Sequence, residues 1–463
     1  MFKYFGFASL LAVLVLNKFE VRSPDNPAPV NYKNFCSSCH GDKVEAFVDR
    51  KWKHGNTKTD LIKSITTGYA DNGMPAWGQA LKPAEIEELA DLILKGIEEG
   101  KKFNFSEKPT SPIFSSEDMT VKLDTVVSQL NSPWGLAFLP NNELLITDRS
   151  GEVYRLTAER KKIKITGAPE VLAEGQGGML DVALHPKFIE NGLIYLSYST
   201  FKQVDGEKLS STAVMRAKLD GDKLTDQKVI FEAQPFSKTR HHYGSRLQFD
   251  KKGYLYISVG DRGNEKQNPQ SLTSDCGKIH RIKDDGTIPS DNPYVGEKSA
   301  NLSIFSWGHR NPQGLTMDPE TGEIWEHEHG PRGGDELNKL QKGANYGWPV
   351  ISYGINYDGT TFTNLTAKNG MAQPNHYWIP SIGPSGVTFV TSDIYPAWKG
   401  DLLVGSLRFK YLNRVKMEKG KVVKEEILLK NIGRLRNVKV GPDGYIYVSV
   451  EDPGFVFRLV PVK

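Results

Sequence analysis

Residues 242–261 read HYGSRLQFDKKGYLYISVGD. A short apolar run around Leu247 is followed by Asp-Lys-Lys-Gly, then by an aromatic and β-branched run from Tyr254 to Val259. Two such runs around a Gly-containing turn spell an antiparallel strand pair. The pattern returns as SPWGLAFLPNNELLITD (132–148), GQGGMLDVALHPKFIENGLIYLSY (175–198) and RNPQGLTMDPETGEIWEHEHG (310–330). It returns again as IGPSGVTFVTSDIYPAWKGDLLVGS (382–406) and GRLRNVKVGPDGYIYVSVED (433–452). The six copies begin near Leu136, Leu180, Leu247, Leu315, Val387 and Val438, at intervals of 44 to 72 residues. Repeats of roughly 40–50 residues or more, each with several strands, build β-propellers. A β-sandwich would leave six equivalent copies without a reason, so six blades are expected, with loops of variable length between constant strand pairs.

The repeat also places chemistry. The residues just before a copy's first strand crowd one mouth of the central channel. Those positions hold Gln176, His242, Arg310 with Asn311, and Arg434 with Arg436. A histidine, three arginines and two amides gathered there suit a planar, polyanionic ligand, because guanidinium forks match carboxylates.

At 463 residues the chain is long enough for two domains, and 38% hydrophobic with 25% charged residues is a globular composition. A net charge of +4, with Lys and Arg scattered among Asp and Glu, offers no concentrated basic face, so nucleic acid is not an expected partner. Lys3 precedes an apolar run from Tyr4 to Leu16, which is short for a bilayer span and right for a signal segment. Export to the periplasm is expected; membrane attachment follows only if residues 1–22 are retained.

Residues 23–102 are expected to form a small all-α domain. Its clearest helix is LKPAEIEELADLILKGIEEGKK, with the apolar stripe Ile86, Leu89, Ile93 and Ile97. Ahead of it stands NFCSSCHGDK (34–43). A zinc site would need two further ligands at finger-like spacing, and a thioredoxin-type motif would need a βαβ setting. Cys36 and Cys39 followed directly by His40 suit covalent haem attachment, with His40 as an axial iron ligand. A second, thioether ligand is supplied by Met74 in the loop GYADNGMPAWG. CSSCH with a later Met-Pro loop and a terminal helix resembles the class I cytochrome c domain. Residues 103–118 read as a polar linker, and 119–463 as the propeller. Cys276 is expected to be a buried small hydrophobe.

GHRNPQGL (308–315), EHGPRGGDELN (328–338), KGANYGWP (342–349) and RLRNVKVGPDG (434–444) resemble, in the same order, the soluble pyrroloquinoline quinone (PQQ) sugar dehydrogenases. The resemblance implies aldose oxidation at C1 to a lactone, with PQQ, haem c and Ca²⁺ as cofactors. His242 then matches the general base, Asp261 the carboxylate that orients it, and Arg310 the cation beside the quinone oxygen. Gln176, Asn311, Arg408, Arg434 and Arg436 match positions around PQQ. Gly330 and Pro331 match backbone carbonyls that bind Ca²⁺, and Glu336 and Tyr346 match part of a second calcium site. Arg408 stands where the glucose enzymes carry lysine. His241 and His329 replace an acidic and an amide residue, and the surroundings of Ser381 differ, which favours the broader aldose branch.

Fusing a one-electron haem to a two-electron quinone enzyme raises the acceptor's effective concentration. The electrons would then pass to a soluble cytochrome or terminal oxidase. Two rival readings fit these residues less well. A calcium-dependent propeller lactonase would centre its metal on acidic side chains and has no use for a haem. A sugar-binding propeller tethered to a cytochrome would not need the His242–Asp261 pair.

Overall fold

The computed structural model describes residues 27–40, 43–50, 52–70, 74–101, 107–263 and 265–462; the side chains of Ser38 and Cys39 fall outside that set. The expected leader, residues 1–22, also lies outside it. Two compact units divide the chain, one within residues 1–38 and 52–94, the other within 39–51 and 95–463.

In the first unit the chain is helical over Ala28–Asn31, where Pro29 suits the first turn. Tyr32–Cys36 follows with a wider π pitch. Helix Lys58–Thr67 opens on a capping box: Thr57 Oγ1 accepts the Asp60 amide while Asp60 accepts the Thr57 amide. Its Leu61 and Ile65 are buried. Helix Pro83–Lys101 starts on proline and buries Ile86, Leu89 and Ile93, the stripe expected from the sequence, whereas Ile97 is half-buried. No helix among the described residues is long and apolar enough to cross a membrane.

The second unit holds six antiparallel sheets. Their inner strands are Pro133–Phe138, Met179–Leu184, Leu247–Phe249, Pro312–Met317, Pro384–Phe389 and Leu435–Val440. Each contains one of the six residues at which the sequence repeats begin, so these sheets are blades 1 to 6 of the expected propeller. Blade 6 is completed from the other end of the domain: Thr120–Val127 pairs with Phe455–Val462, with Val121 opposite Pro461.

Neighbouring blades pack through shared apolar clusters, such as Tyr195 and Val214 of blade 2 with Leu247, Ile257 and the fully buried Cys276 of blade 3. Buried hydroxyls tie them further. Ser197 Oγ donates to the Ser245 carbonyl (2.6 Å), Ser258 Oγ to Pro312 (3.1 Å) and Ser449 Oγ to Pro133 (3.2 Å). In each case the second strand of one blade supports the inner strand of the next. Because each blade is antiparallel, the chain entering its first strand and the chain leaving its second emerge at the same end. Two residue sets per blade therefore meet at one mouth.

Candidate active site

The loop leading into the inner strand of blade 3 carries His242. It is a tight turn, with His242 and Ser245 at φ of 57° and 77°, a conformation that non-glycine residues adopt at a cost of order 1 kcal/mol or more. The turn is held from outside: the His242 amide donates to Gln176 Oε1 (2.8 Å), and the Gly244 amide to Asn311 Oδ1 (3.1 Å). Gln176 and Asn311, two residues expected near the cofactor, thus also aim the expected base.

Asp261 leaves the second strand of the same blade, fully buried. Its Oδ1 lies 2.7 Å from His242 Nδ1 and 2.7 Å from the Gly263 amide, and its Oδ2 accepts Trp348 Nε1–H at 2.7 Å. With a carboxylate opposite Nδ1, the proton sits there and Nε2 keeps its lone pair. Burial, and next the positive charge of Arg310, lower the His242 pKa to about 4, against the pull of Asp261. The imidazole is therefore neutral, as a general base must be.

Arg310 and Asn311 enter blade 4. Arg310 Nη1 donates to the carbonyls of His329 (3.1 Å) and Gly330 (2.6 Å). Arg434 and Arg436 of blade 6 share Glu451, at 3.1 Å and 2.6 Å. Burial alone would raise Glu451, but Arg436 and Arg434 bring it below the ordinary carboxylate range. Arg408, after the second strand of blade 5, donates to the Ser381 carbonyl (3.0 Å).

These elements surround a cavity of about 600 Å³ bounded by Gln176, His329, Arg408, Arg434 and Arg436, with Gly330 and Pro331 on its wall. Tyr243 and Gly244, the residues after His242, line it too. Arg149 and Arg332 bring its arginines to five, and Trp134 offers a flat face. The size and the five arginines, of which Arg408 also donates to buried Asp49 on the same wall (3.0 Å), fit a ligand bearing several carboxylates, as PQQ does. The central channel beneath is plugged by Arg246. Its guanidinium lies 3.8 Å from the Trp134 ring centroid and donates to the carbonyls of Gln313 (2.7 Å) and Arg436 (3.0 Å).

The Gly330–Pro331 turn is fixed by buried Asp335, whose oxygens accept the Gly330 amide (2.8 Å), Ser381 Oγ (2.9 Å) and the Gly383 amide (2.8 Å). Burial raises the Asp335 pKa to about 6. Glu336 and Tyr346 border a small void of about 10 Å³, close to the space one water or ion needs. The Tyr346 hydroxyl is occupied, donating to the Lys339 carbonyl (2.7 Å) and accepting the Gln341 amide (3.0 Å). The sequence reading missed the strongest donors here, Glu326 and Glu328. Glu326, Glu328 and His309 bring ligand atoms within 4.8 Å of one another, and Glu336 lies opposite Glu328 on the paired strand. Burial, and next the charge of Glu328, hold Glu326 and Glu336 well above the ordinary range. Glu326 Oε2 and Asn338 Oδ1 are buried without a hydrogen-bond partner. Carboxylate and amide oxygens left in that state suit a hard cation such as Ca²⁺.

In the region of the haem motif, Cys36 ends the π-pitched segment and is half-buried. The Cys39 side chain lies outside the described residues. Burial, then Arg50, lower the His40 pKa to about 4, leaving the neutral imidazole that iron ligation requires. Met74 is half-buried on a loop fixed by reciprocal amide bonds with Tyr69 (3.1 and 2.8 Å). Thiol, imidazole and thioether form a donor set that fits haem c.

Arg149, Glu328 and Glu451 could have been found from the repeat itself. Each ends or follows a second strand, as Asp261 and Arg408 do, a position that the antiparallel blade brings to the same mouth as the approach to the first strand.

Comparison with known proteins agrees with this picture. Residues 130–458 match the glucose/sorbosone dehydrogenase family model, and residues 27–93 match that of cytochrome c oxidase, cbb3-type, subunit III. Aldose sugar dehydrogenase YliI of Escherichia coli is 42% identical over 350 residues, covering 74% of this chain and 93% of that protein. The apo crystal structure of the soluble E. coli aldose sugar dehydrogenase superposes with a TM-score of 0.71 at 39% identity, over 74% of this chain and all of that one. The PQQ-bound aldose sugar dehydrogenase of Streptomyces coelicolor gives a TM-score of 0.61 at 27% identity, over 74% and 98% of the two chains.

Proposed function

The chain belongs to the glucose/sorbosone dehydrogenase family and carries an N-terminal cytochrome c domain, and from this premise we propose that it is an exported quinohaemoprotein oxidising aldose sugars at C1 to lactones. The observation that carries the reading is the neutral His242–Asp261 pair beside a cavity lined with arginines.

His242 Nε2 takes the proton of the sugar's C1 hydroxyl, and Asp261 stabilises the imidazolium that results. PQQ, when bound, would supply the acceptor for the hydride of C1. Arg310 stands where negative charge develops, held there by two backbone carbonyls. Arg408, Arg434 and Arg436 grip carboxylates, and Gln176 and Asn311 fix the turn that carries the base. The Gly330 and Pro331 carbonyls would hold Ca²⁺, which would supply a Lewis acid at the cavity wall. A second, structural Ca²⁺ would be held by Glu326, Glu328, Glu336 and Asn338. Cys36, Cys39, His40 and Met74 would hold haem c, which would supply a one-electron acceptor whose onward partner would be a soluble cytochrome or terminal oxidase.

The test uses oxidised protein loaded with PQQ and Ca²⁺ under anaerobic conditions, with haem absorbance followed after adding an aldose. Haem reduction requiring sugar, PQQ and Ca²⁺ together is expected. If PQQ is reduced while the haem stays oxidised, the relay fails and the dehydrogenase stands. If neither changes across a panel of aldoses, the substrate class is wrong. Met74→Ala should leave PQQ reduction intact and alter the haem spectrum; an unaltered spectrum would remove Met74 from the iron.

A further inference from the structure

Trp348 comes from the long connection between Asp335–Lys339 and His376–Trp378 of blade 4, and it crosses to blade 3. The indole is buried. Its only donor, Nε1–H, meets Asp261 Oδ2 at 2.7 Å, on the oxygen opposite the one that faces His242. Its ring face lies 5.2 Å from the Arg310 guanidinium, within cation–π range. The residue itself is clamped: its amide donates to the Gly308 carbonyl (2.8 Å), and Gln270 Nε2 donates to its carbonyl (2.8 Å). Phe362 packs edge-on against the ring at 5.2 Å. One rigid side chain thus touches both the carboxylate that orients the base and the cation that faces the developing charge, though these belong to different blades.

We propose that Trp348 is a positioning residue for sugar oxidation, its N–H locking the Asp261 carboxylate against His242 while its ring face holds Arg310 in register with them. This rests on the dehydrogenase reading above. An aromatic ring with no N–H could pack in the same space, so the donor is what distinguishes a positioning role from simple filling. Removing it leaves Asp261 with two donors in place of three and concentrates its charge on His242 Nδ1–H. The charged or titratable groups facing His242 are His241 from its own loop, Asp261 and Arg262 after the second strand of blade 3, and Arg310 and His329 of blade 4. Lys278 acts on Asp261 from the third strand of blade 3. Trp348→Phe alters none of them.

The test titrates His242 by NMR in the full chain labelled at histidine, without cofactor or sugar, for wild type, Trp348→Phe and Phe362→Leu. Trp348→Phe should raise the His242 midpoint by about half a pH unit or more, since Asp261 then favours the imidazolium more strongly. Phe362→Leu loosens the ring without touching its N–H and should leave the midpoint in place. In the loaded enzyme, Trp348→Phe should lower kcat about tenfold with KM nearly unchanged, as loss of an orienting hydrogen bond does. An unmoved midpoint in Trp348→Phe overturns the proposal, as does an equal shift in Phe362→Leu, which would reduce Trp348 to packing. If Trp348→Phe does not fold, Trp348→His, which can keep an N–H, decides: a wild-type-like midpoint supports the proposal, and a rise of about half a pH unit or more despite the retained donor counts against it. Absence of sugar-driven turnover in wild type would instead sink the dehydrogenase reading, and the sugar-free titration tells the two failures apart.

Discussion

Two buried ionisable clusters stand on either side of Arg310 and Asn311, and they are built on opposite terms. In front, His242 and Asp261 form a neutral acceptor and a carboxylate met by three donors, Nδ1–H, the Gly263 amide and the Trp348 indole. Behind, Glu328 accepts the amides of Arg310 and Asn311, while Glu326 and Glu336 crowd it and the oxygens Glu326 Oε2 and Asn338 Oδ1 are left unsatisfied. The front cluster is complete in itself and is poised for proton transfer. The rear cluster carries excess negative charge in a setting where like charges opposite one another destabilise a sheet. A buried group with all its partners reads as machinery, whereas one short of partners reads as a socket.

The sharpest way to break this contrast is at the front. His242→Ala should lower sugar-driven turnover by about 10²- to 10⁴-fold while PQQ still binds, measured by steady-state rates and cofactor titration. Full activity in that variant would remove the base. At the rear, Ca²⁺ at a hundredfold excess over its Kd should raise the thermal midpoint by roughly 4 °C, and Glu326→Gln should shrink that gain. Without Ca²⁺ the same variant should be more stable than wild type at a pH above the raised pKa of Glu326, because one of the repelling carboxylates is then gone. A calcium-free Glu326→Gln protein less stable than wild type would mean that the carboxylates are satisfied without a cation.

The smallest expected effect lies in the pH dependence of folding without Ca²⁺, where the clusters have opposite signs. His242 is lowered from 6.5 to about 4, so its stabilisation is complete above pH 6.5 and is lost as pH falls through about 4. Glu326 and Glu336 are raised, so their contribution is complete below about 4.5 and is lost as pH rises through their folded values. His242→Ala should therefore flatten the acid side of the stability profile, and Glu326→Gln the neutral side, in paired denaturation series. The acid limb of kcat/KM in wild type should lie near pH 4.

The blades were legible because period-2 apolar runs around Gly turns repeat locally, and each of the six repeats contains an inner strand. The residues ahead of those strands were legible for the same reason, and Gln176, His242, Arg310 and Arg436 do converge. What escaped depends on side chains crossing between blades. Trp348 lies far in sequence from Asp261, and nothing in NYGWP signals a hydrogen bond to another blade. Arg246 sits within HYGSRLQF, where it reads as a surface residue on a strand edge. In the fold it is buried and bonded to blades 4 and 6. Glu326 and Glu328 alternate with His327 in a strand that would ordinarily expose one face. Here the long connection of blade 4 covers that face.

The seam where the ring closes has a consequence for how the protein comes apart. Thr120–Val127 completes blade 6 from the far end of the domain, and beside that junction Asn437 Nδ2 donates to the Trp134 carbonyl (3.0 Å). Arg436 of the last blade lies 5.6 Å above the Trp134 ring of the first. These contacts act as a clasp on a circular belt, joining the first blade to the last, the pieces that meet last during synthesis. The mechanical integrity of the ring then depends on side chains about as far apart in the chain as the domain allows, 303 residues in the case of Asn437 and Trp134.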